Sequence, residues 1–467
     1  MNLTCFKAYD VRGRIGDNLD TDIARRIGAG FAHVMGARTE GRALRVVVGR
    51  DCRESSPELA CAVMSGLRDQ GAEVLDIGLA GTEEVYFATA HLGATGGIEI
   101  TASHNPMDYN GMKLVGPGSR PIDPGSELAA IRAAAESDLE PLATPGGYAP
   151  VDTRPAFAAH VCDFVEADKL KPMKILVNSG NGTAGPTFDA IAAELARRGA
   201  PLDFVRVNHV PDGSFPNGVP NPLLPENRAM TAAPVRAEGA EMGVAWDGDF
   251  DRCFLFDEAG DFIDGEYVVA LLAQSFLAGG TGETIVYDPR VVLNTRAVIA
   301  ANGGSAVASK TGHAFVKAKM REVDAVYGGE MSAHHYFRDF YYCDSGMIPW
   351  LKIVEYLSRS GQSLGQCVAE MRADFPSSGE INFTVSDPAA VIEAIVAQLG
   401  DAADEIDRLD GASLGFADWR MNLRASNTEP LLRLNIETRG DRALLEAKVA
   451  ELTALVRAAG GPAAAAG

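Results

Sequence analysis

The stretch ALRVVVGRDCRESSPELACAVMSGLRDQGAEVLDIG (residues 43–78) decides the fold class. It begins with an apolar strand (43–49), continues through a helix (55–71) and ends in a second apolar strand (72–78). We expect Ser56 to be the N-cap, Pro57 to stand at the first helical position and Gly71 to close the helix. This order predicts a βαβ unit.

The same alternation of apolar strands and helices recurs twice along the chain, and the pattern then changes. A second α/β region starts at KILVNSGNGTAG (174–185), and a third runs from RCFLFDEAG (252–260) to DAVYGGEMS (324–332). After about residue 372 the strands EINFTV (380–385) and WRMNLRASNTEPLLRLNIET (419–438) precede an amphipathic helix (441–460), which is typical of a small α+β domain. We therefore predict α/β domains at 1–150, 151–254 and 255–372, and an α+β domain at 373–467 whose final residues, GGPAAAAG, form a disordered tail.

The length of the chain indicates several domains, and its net charge and cysteine pattern exclude some classes of function. The chain has 467 residues, and single cores stop growing at roughly 250–300 residues, so several domains are expected. With 42 Lys+Arg against 63 Asp+Glu the formal charge is −21, which repels nucleic acid and anionic membranes. The seven scattered cysteines form no C-x-x-C pair, and neither a signal peptide nor a membrane span is apparent. We expect a cytoplasmic protein with reduced thiols.

Three apolar strands run into polar loops: IEITASHNP (98–106), VAWDGDFD (244–251) and VYGGEMS (326–332). Ligands of open parallel sheets bind beyond the carboxyl ends of the strands. We therefore expect these loops to line one shared cleft between domains.

DGDFDR (247–252) is the clearest metal-binding motif. Asp247, Asp249 and Asp251 alternate, so in an extended backbone their carboxylates project from the same side. Magnesium is often held by a few carboxylates together with a phosphate oxygen. Without a cation the three buried charges would repel one another, and we predict a Mg²⁺ site.

The other motifs are weaker when each is taken alone. Ser103 in TASHNPMDYNGMK (101–113) is more typical of a turn than of a nucleophile, and GEMSAHH (329–335) fits either a polar loop or contacts to sugar hydroxyls. SKTGHAF (309–315) places Lys310, Gly312 and His313 where a helix begins, which favours anions. RASNTEP (424–430) combines a guanidinium, hydroxyls and an amide in a loop suited to a phosphate dianion.

Taken together and in this order, FKAYDVRG (6–13), TASHNP, DGDFDR, GEMSAHH and RASNTEP resemble the motifs of the α-D-phosphohexomutase family, phosphomannomutase/phosphoglucomutase branch. The resemblance implies three related α/β domains and a fourth α+β domain around a central cleft. It also implies that a phosphoserine enzyme interconverts mannose 6-phosphate and mannose 1-phosphate through a 1,6-bisphosphate, which would serve as activator, and that glucose phosphates are also used.

The resemblance also implies residue roles. Ser103 carries the phosphoryl group and, with the three aspartates, binds one Mg²⁺ per chain. Ser103, His104, Lys113 and His334 are the catalytic candidates, with Lys113 and His334 the candidates for proton transfer. The substrate contacts implied are Tyr9, Arg12, Arg252, Arg290, Lys310, Gly312, His313, Glu330, Ser332, Arg424, Ser426, Asn427, Thr428 and Arg433. Two departures, Phe250 in place of a common Gly and Lys7 in place of a common Arg, remove no ligand.

Four alternatives stay open. The first is phosphoglucomutase as the main activity, because contacts to O3 and O4 do not distinguish mannose from glucose, which differ at C2. A phosphoglucosamine mutase, a metal-dependent phosphatase and a non-catalytic sugar-phosphate-binding protein are the others. We expect a monomer or weak dimer that binds neither nucleic acid nor membrane.

Overall fold

The computed structural model describes residues 2–39, 41, 43–280, 282–425 and 431–460. The strands, in chain order, are β1 Val11–Arg14, β2 Arg45–Arg50, β3 Glu73–Leu79, β4 Gly96–Ile100, β5 Tyr109–Val115, β6 Tyr148–Pro150, β7 Met173–Asn178, β8 Leu202–Val207, β9 Met242–Trp246, β10 Cys253–Phe256, β11 Thr284–Tyr287, β12 Ser305–Ala308, β13 Tyr327–Gly329, β14 His335–Phe337, β15 Cys343–Asp344, β16 Ser377–Thr384, β17 Glu405–Asp407, β18 Ala412–Gly415, β19 Trp419–Ala425 and β20 Leu431–Thr438.

The helices, in chain order, are α1 Thr21–Gly36, α2 Ser56–Asp69, α3 Thr82–His91, α4 Ala129–Glu136, α5 Arg154–Cys162, α6 Ala184–Arg197, α7 Pro225–Glu238, α8 Gly265–Leu277, α9 Leu293–Ala301, α10 His313–Val323, α11 Met347–Ser360, α12 Leu364–Asp374, α13 Pro388–Leu399 and α14 Arg442–Gly460. They divide, with the strands, between two compact units. The first unit is Met1–Phe262 with His334–Gly361, and the second is Ile263–Ala333 with Gln362–Gly467.

The predicted βαβ unit is confirmed as β2, α2 and β3, and the two strands pair in parallel. Gly71 adopts φ +80°, a left-handed conformation that closes a helix at little cost when the residue is glycine. The capping prediction is wrong by one residue, since Ser55 is the N-cap and its side chain makes no capping bond. Ser56 instead donates its hydroxyl to Asp51 at 2.5 Å, and this hydrogen bond offsets part of the cost of burying the Asp51 carboxylate.

The sheet of the first unit that contains this βαβ unit has the order β1-β5-β4-β2-β3-β6. Strand β2 is buried on both faces: Val46 and Val48 pack into one apolar cluster, and Val47 packs into another. A parallel strand covered on both sides has a continuous apolar sequence, which explains the VVV run. Strand β4 continues through a loop into β5, its antiparallel neighbour, and Ser103 lies on that loop.

A second sheet of the first unit has the order β10-β9-β7-β8. Strands β8 and β9 flank β7 in parallel, and β9 turns back into antiparallel β10. The DGDFDR segment is the turn from β9 to β10, so it holds the same place in this sheet as the Ser103 loop holds in the first. Repeated topology therefore puts both loops at the carboxyl end of a parallel strand.

The second unit contains parallel strands in the order β12-β11-β13, with Glu330 directly after β13. Its other sheet has the antiparallel order β16-β20-β19-β18-β17. Side chains of this sheet pack against α13 and α14 in one core, in which Phe383, Leu434 and Val456 are buried. The predicted fold class, three α/β domains and a final α+β domain, is confirmed.

The predicted domain boundaries and central cleft stay predictions, and the predicted tail at 460–467 lies, after Gly460, outside the described residues. A search of the described helices found none whose length and apolar character would let it cross a membrane.

Candidate active site

Ser103 is held in an uncommon backbone conformation. Its φ is +49°, its side chain is almost fully buried, and its backbone N–H donates to the hydroxyl of Thr101 at 2.8 Å. The Ser103 hydroxyl donates to Asp247 Oδ2 at 2.7 Å. A non-glycine residue with positive φ at a buried loop indicates that the surroundings fix this conformation.

Arg53 fixes much of that conformation, and the sequence analysis missed it. Its guanidinium is 2% exposed and donates to the carbonyl oxygens of Ser103 and Pro106, both at 2.9 Å, of Tyr109 at 3.2 Å and of Asn105 at 2.5 Å. One buried cation therefore bonds four main-chain acceptors of residues 103–109, the segment called the serine loop below. Arg53 lies just beyond the carboxyl end of β2, so the strand-end rule applied to that strand would have found it.

The three aspartates converge, as predicted, but not through an extended backbone. Residues 248–249 form a turn, and Phe250 adopts φ +47° with its ring fully buried. The positive φ explains why glycine suits this position, because only glycine reaches that region without strain. A side-chain carbon on Gly248 would lie 2.5 Å from the carbonyl oxygen of Ser103, so the two loops meet backbone to backbone.

Asp249 is the most heavily bonded of the three. Its Oδ2 accepts from Thr82 at 2.7 Å, from Thr101 at 3.2 Å and from Lys113 Nζ at 2.8 Å. Burial acts to raise the pKa of Asp249, but Lys113 lowers it below its ordinary value. Lys113 also bonds Asp251, and although burial acts to lower the pKa of Lys113, the carboxylates raise it. In this state the Lys113 ammonium stays charged.

The donor set fits a hard divalent cation. Asp247, Asp249 and Asp251 each offer an oxygen within 4.8 Å of the others, and all three are buried. The Oδ1 atoms of Asp249 and Asp251 have no hydrogen-bond partner among the described residues. Burial, together with Asp251 and Asp249, raises the pKa of Asp247 to about 7. Unpaired buried carboxylate oxygens of this kind are costly unless a cation binds them.

Basic side chains stand beside Asp247. Arg252 Nε lies 3.2 Å from Asp247 Oδ2, and its guanidinium also contacts His104. His104 Nδ1 is 3.0 Å from the Ser103 hydroxyl. Burial of the ring, and then Arg252, lower the pKa of His104, so the imidazole is neutral in this state.

His334, from the GEMSAHH motif, lies in the first unit near Asp251. Its Nδ1 is 3.0 Å from a carboxylate oxygen of Asp344, a residue the sequence analysis did not consider. Burial acts to lower the pKa of His334, but Asp251 and Asp344 raise it. Such a contact fixes the ring and directs Nε2 away from Asp344.

The N-terminal motif contributes Arg12, which bonds Asp10 at 2.7 Å and the carbonyl oxygen of Thr101 at 3.0 Å. Tyr9 is half-buried two residues before Val11, where β1 begins. Arg12 thereby contacts the strand end that carries Ser103.

In the second unit, Glu330 and Arg290 are organised by a carboxylate that the sequence analysis missed. Asp288 accepts from Arg290 Nη2 at 2.6 Å and from the backbone N–H of Met331 at 2.9 Å. Glu330 accepts from the backbone N–H of Gly312 at 2.7 Å and lies 3.9 Å from Arg290. The predicted residues Arg290, Gly312 and Glu330 are thus brought together.

Two arginines of the final sheet meet Arg290 through one glutamate. Arg424 Nη2 lies 3.2 Å from Glu380 Oε2, Arg433 Nη1 lies 3.3 Å from Oε1, and Arg290 Nη1 lies 3.4 Å from Oε2. Ser426, Asn427 and Thr428 lie outside the described residues. Lys310 is exposed, Ser332 is half-buried, and His313 is the first residue of α10.

Four families of known proteins match consecutive parts of the chain. They are described as phosphoglucomutase/phosphomannomutase alpha/beta/alpha domain I (residues 4–141), domain II (155–260), domain III (264–375) and the C-terminal domain (380–455). The matches leave only short segments uncovered.

Full-length relatives agree with these matches. The chain is 54% identical over 458 residues to a phosphomannomutase of Salmonella montevideo, covering 97% of this chain and 99% of that protein. It is 53% identical over 458 residues to a protein of Xanthomonas campestris named phosphohexose mutases, covering 98% and 100%. A crystal structure of a family protein from Burkholderia thailandensis superposes with a TM-score of 0.85 at 32% identity, over 98% of both chains.

Proposed function

The chain belongs to the phosphoglucomutase/phosphomannomutase family, and we propose that it interconverts mannose 6-phosphate and mannose 1-phosphate, with glucose phosphates as further substrates. The observation that carries this is the buried contact between the Ser103 hydroxyl and Asp247, in the midst of three converging carboxylates. The names of the relatives at 52–54% identity support mannose.

The reaction needs a residue that gives and takes back a phosphoryl group. With Ser103 phosphorylated, a sugar hydroxyl oxygen forms a bond to phosphorus, the bond from phosphorus to Ser103 Oγ breaks, and a proton passes from the sugar to a nearby base while Oγ is protonated. The product is a 1,6-bisphosphate, which returns its other phosphoryl group to Ser103 after it turns round. Such a bisphosphate is the proposed activator.

The groups around Ser103 suit that chemistry. Mg²⁺ bound by Ser103, Asp247, Asp249 and Asp251 would offset negative charge on the transferring group. Arg53 and Thr101 hold the loop so that Oγ points to the carboxylates, which fixes the position of the reacting atom. His104, Lys113 and His334 are the proposed proton-handling groups.

The second unit is proposed to hold the rest of the substrate. Glu330 and Ser332 would exchange hydrogen bonds with sugar hydroxyls. The Gly312 N–H bonds Glu330, and Lys310 and His313 lie beside Gly312 in sequence. Arg424 and Arg433, with the loop residues Ser426, Asn427 and Thr428, would hold the non-reacting phosphate. Tyr9, Arg12, Arg252 and Arg290 complete the proposed substrate contacts.

Four domains, 1–150, 151–254, 255–372 and 373–467, are part of the same proposal. So are a cytoplasmic location, a monomeric or weakly dimeric state, and no binding to nucleic acid or membrane. The formal charge of −21 supports the last of these.

Steady-state rates on mannose 1-phosphate and glucose 1-phosphate test the function, for wild type and for Ser103→Ala. Removing the nucleophile should lower kcat by about a thousand-fold or more on both sugars. Ser137→Ala, at an exposed serine of the same domain, is the control and should keep the wild-type rate. Full activity in Ser103→Ala would refute the mechanism, and release of inorganic phosphate in excess of mutase product would favour a phosphatase.

A further inference from the structure

Glu380 occupies the centre of the arginine cluster in the second unit. It stands on β16, and its two carboxylate oxygens lie 3.2–3.4 Å from guanidinium nitrogens of Arg290, Arg424 and Arg433. Its side chain is 22% exposed, whereas those of Arg290 and Arg424 are 4% and 3% exposed. Arg433 is also 22% exposed, so solvent reaches the cluster at Glu380 and Arg433.

The cluster is charge-balanced by its own residues. Three guanidinium groups face three carboxylates, since Asp288 and Glu330 accompany Arg290 and Glu380 contacts all three arginines. Burial acts to raise the pKa of Glu380, but the arginines lower it below its ordinary value, so the carboxylate stays charged at neutral pH. Among the described residues, a dianion that approaches the arginines therefore also meets carboxylates that already contact them.

Arg424 has a donor that the cluster does not use. Arg424 Nε is buried and has no hydrogen-bond partner among the described residues, although its Nη2 is paired with Glu380. Guanidinium groups bind phosphate through two parallel N–H donors, and here Glu380 uses one edge of that fork.

We infer that Glu380 is an internal competitor for the substrate's phosphate: its carboxylate contacts the arginines in the free protein and weakens the hold of that site on a phosphate dianion. Weaker binding would help a mutase, because the 1,6-bisphosphate must turn round in each cycle. Its phosphate therefore has to leave the arginine site as readily as it enters. Glu380 touches no reacting atom, so it is a positioning residue. The inference rests on the proposed function in one respect, the binding of phosphate at Arg424.

The competing explanation is that Glu380 only aligns the arginines. The two explanations predict opposite signs for Glu380→Gln. An aligning carboxylate, when removed, leaves three mutually repelling guanidinium groups out of place, and phosphate binds more weakly. A competing carboxylate, when removed, leaves one unopposed positive charge, and phosphate binds more tightly.

The test uses inorganic phosphate as the probe, with the full chain and titration calorimetry at low ionic strength. Glu380→Gln should bind phosphate at least about ten-fold more tightly, because one unit charge at 4–6 Å and an effective dielectric constant of about 20 exceeds that factor. In steady state, KM for mannose 1-phosphate should fall while kcat does not rise. Glu393→Gln removes an exposed glutamate paired with Arg408 in the same unit, and its phosphate affinity should stay at the wild-type value.

Weaker or unchanged phosphate binding in folded Glu380→Gln overturns the inference. If thermal melting shows that Glu380→Gln is unfolded, Glu380→Asp decides: its shorter side chain withdraws the carboxylate, so phosphate should bind more tightly by a smaller factor, and weaker binding again overturns the inference. Failure of the proposed function is distinguishable, because wild type would then lack mutase turnover whatever the phosphate affinities of the variants are.

Discussion

Each unit holds one charged side chain that lies among several side chains of the opposite charge. In the first unit Lys113 lies among Asp247, Asp249 and Asp251, and in the second Glu380 lies among three arginines. Lys113 Nζ is 2.8 Å from Asp249 and its side chain is 11% exposed, while Glu380 is 3.2–3.4 Å from its partners and 22% exposed.

Because the two side chains differ in exposure, we expect them to behave differently when a ligand binds. The Oδ1 atoms of Asp249 and Asp251 have no hydrogen-bond partner among the described residues, and Lys113 bonds the Oδ2 atoms, so a cation and Lys113 have separate oxygens to bind. Charges that are desolvated together are hard to separate, and Lys113 is therefore a permanent member of its cluster. Glu380 is more exposed and occupies guanidinium donors that a phosphate needs, so we expect a phosphate to displace it from the arginines.

The largest effect is expected from breaking the acidic cluster. Asp249→Asn removes a carboxylate that would bind the cation and leaves Lys113 with one partner fewer, so Mg²⁺ affinity should fall by at least about 100-fold. Calorimetric titration with Mg²⁺ measures this without turnover. Asp401→Asn, at an exposed aspartate, should leave the affinity unchanged.

The comparison also predicts where Asp249→Asn has no effect. Inorganic phosphate should bind the variant as tightly as it binds wild type, because the arginine cluster is in the other unit. An equal loss of Mg²⁺ and phosphate affinity would show that the two clusters do not act separately.

An intermediate effect is expected from loosening the serine loop. Arg53→Lys keeps the charge but loses the fork that bonds four carbonyl groups, so kcat should fall by about ten-fold or more while KM changes by less than about two-fold. Arg14→Lys is the matched control, since Arg14 pairs with Asp108 of the same loop at an exposed site. A rise in KM with unchanged kcat would contradict a positioning role for Arg53.

The smallest effects are expected on stability. Here Glu99 and Glu380 should make the free energy of unfolding depend on pH in opposite directions. Both Glu99 oxygens are buried without a hydrogen-bond partner among the described residues, and burial, then Asp51 and Asp249, raise the pKa of Glu99 well above its ordinary value. In the unfolded chain Glu99 loses its proton as pH rises above about 4.3, while the folded protein retains it, so the free energy of unfolding falls with rising pH. Glu99→Gln removes that loss and should stabilise the protein at pH 8 more than at pH 4.

Glu380→Gln should show the opposite sign when both variants are unfolded with urea at pH 4 and at pH 8. The pKa of Glu380 is lowered in the fold, so its contribution to stability is present at neutral pH and is lost as pH falls through the folded pKa. The variant should therefore be less stable than wild type at pH 8 and closer to it at pH 4. Parallel pH profiles for the two variants would contradict the contrast.

Local sequence pattern predicted the parts of the fold that depend on neighbouring residues. The strand–helix–strand pattern of residues 43–78 predicted the βαβ unit, and the strand-end rule predicted that the Ser103 loop and the aspartate loop would lie together. These succeeded because repeated βαβ topology places successive strand ends at one edge of a sheet.

The failures concern contacts between residues far apart in sequence. Arg53 bonds a loop some fifty residues later, and Glu380 meets Arg290 at a separation of 90 residues. In the sequence, Glu380 is only the polar first residue of EINFTV, and nothing local distinguishes it from a solvated strand position. The turn at Phe250 was missed because a buried phenylalanine with positive φ contradicts local preference and is imposed by packing.

The central claim, that Ser103 carries the phosphoryl group through the reaction, is tested most directly by a single turnover. Enzyme phosphorylated with a hexose 1,6-bisphosphate and freed of ligand is mixed with mannose 1-phosphate and Mg²⁺, then quenched and followed by intact mass and peptide mapping. The account predicts that one phosphoryl group leaves Ser103 at least as fast as kcat while a bisphosphate appears in equal amount. Product formation while the phosphoryl group stays on Ser103 would contradict it.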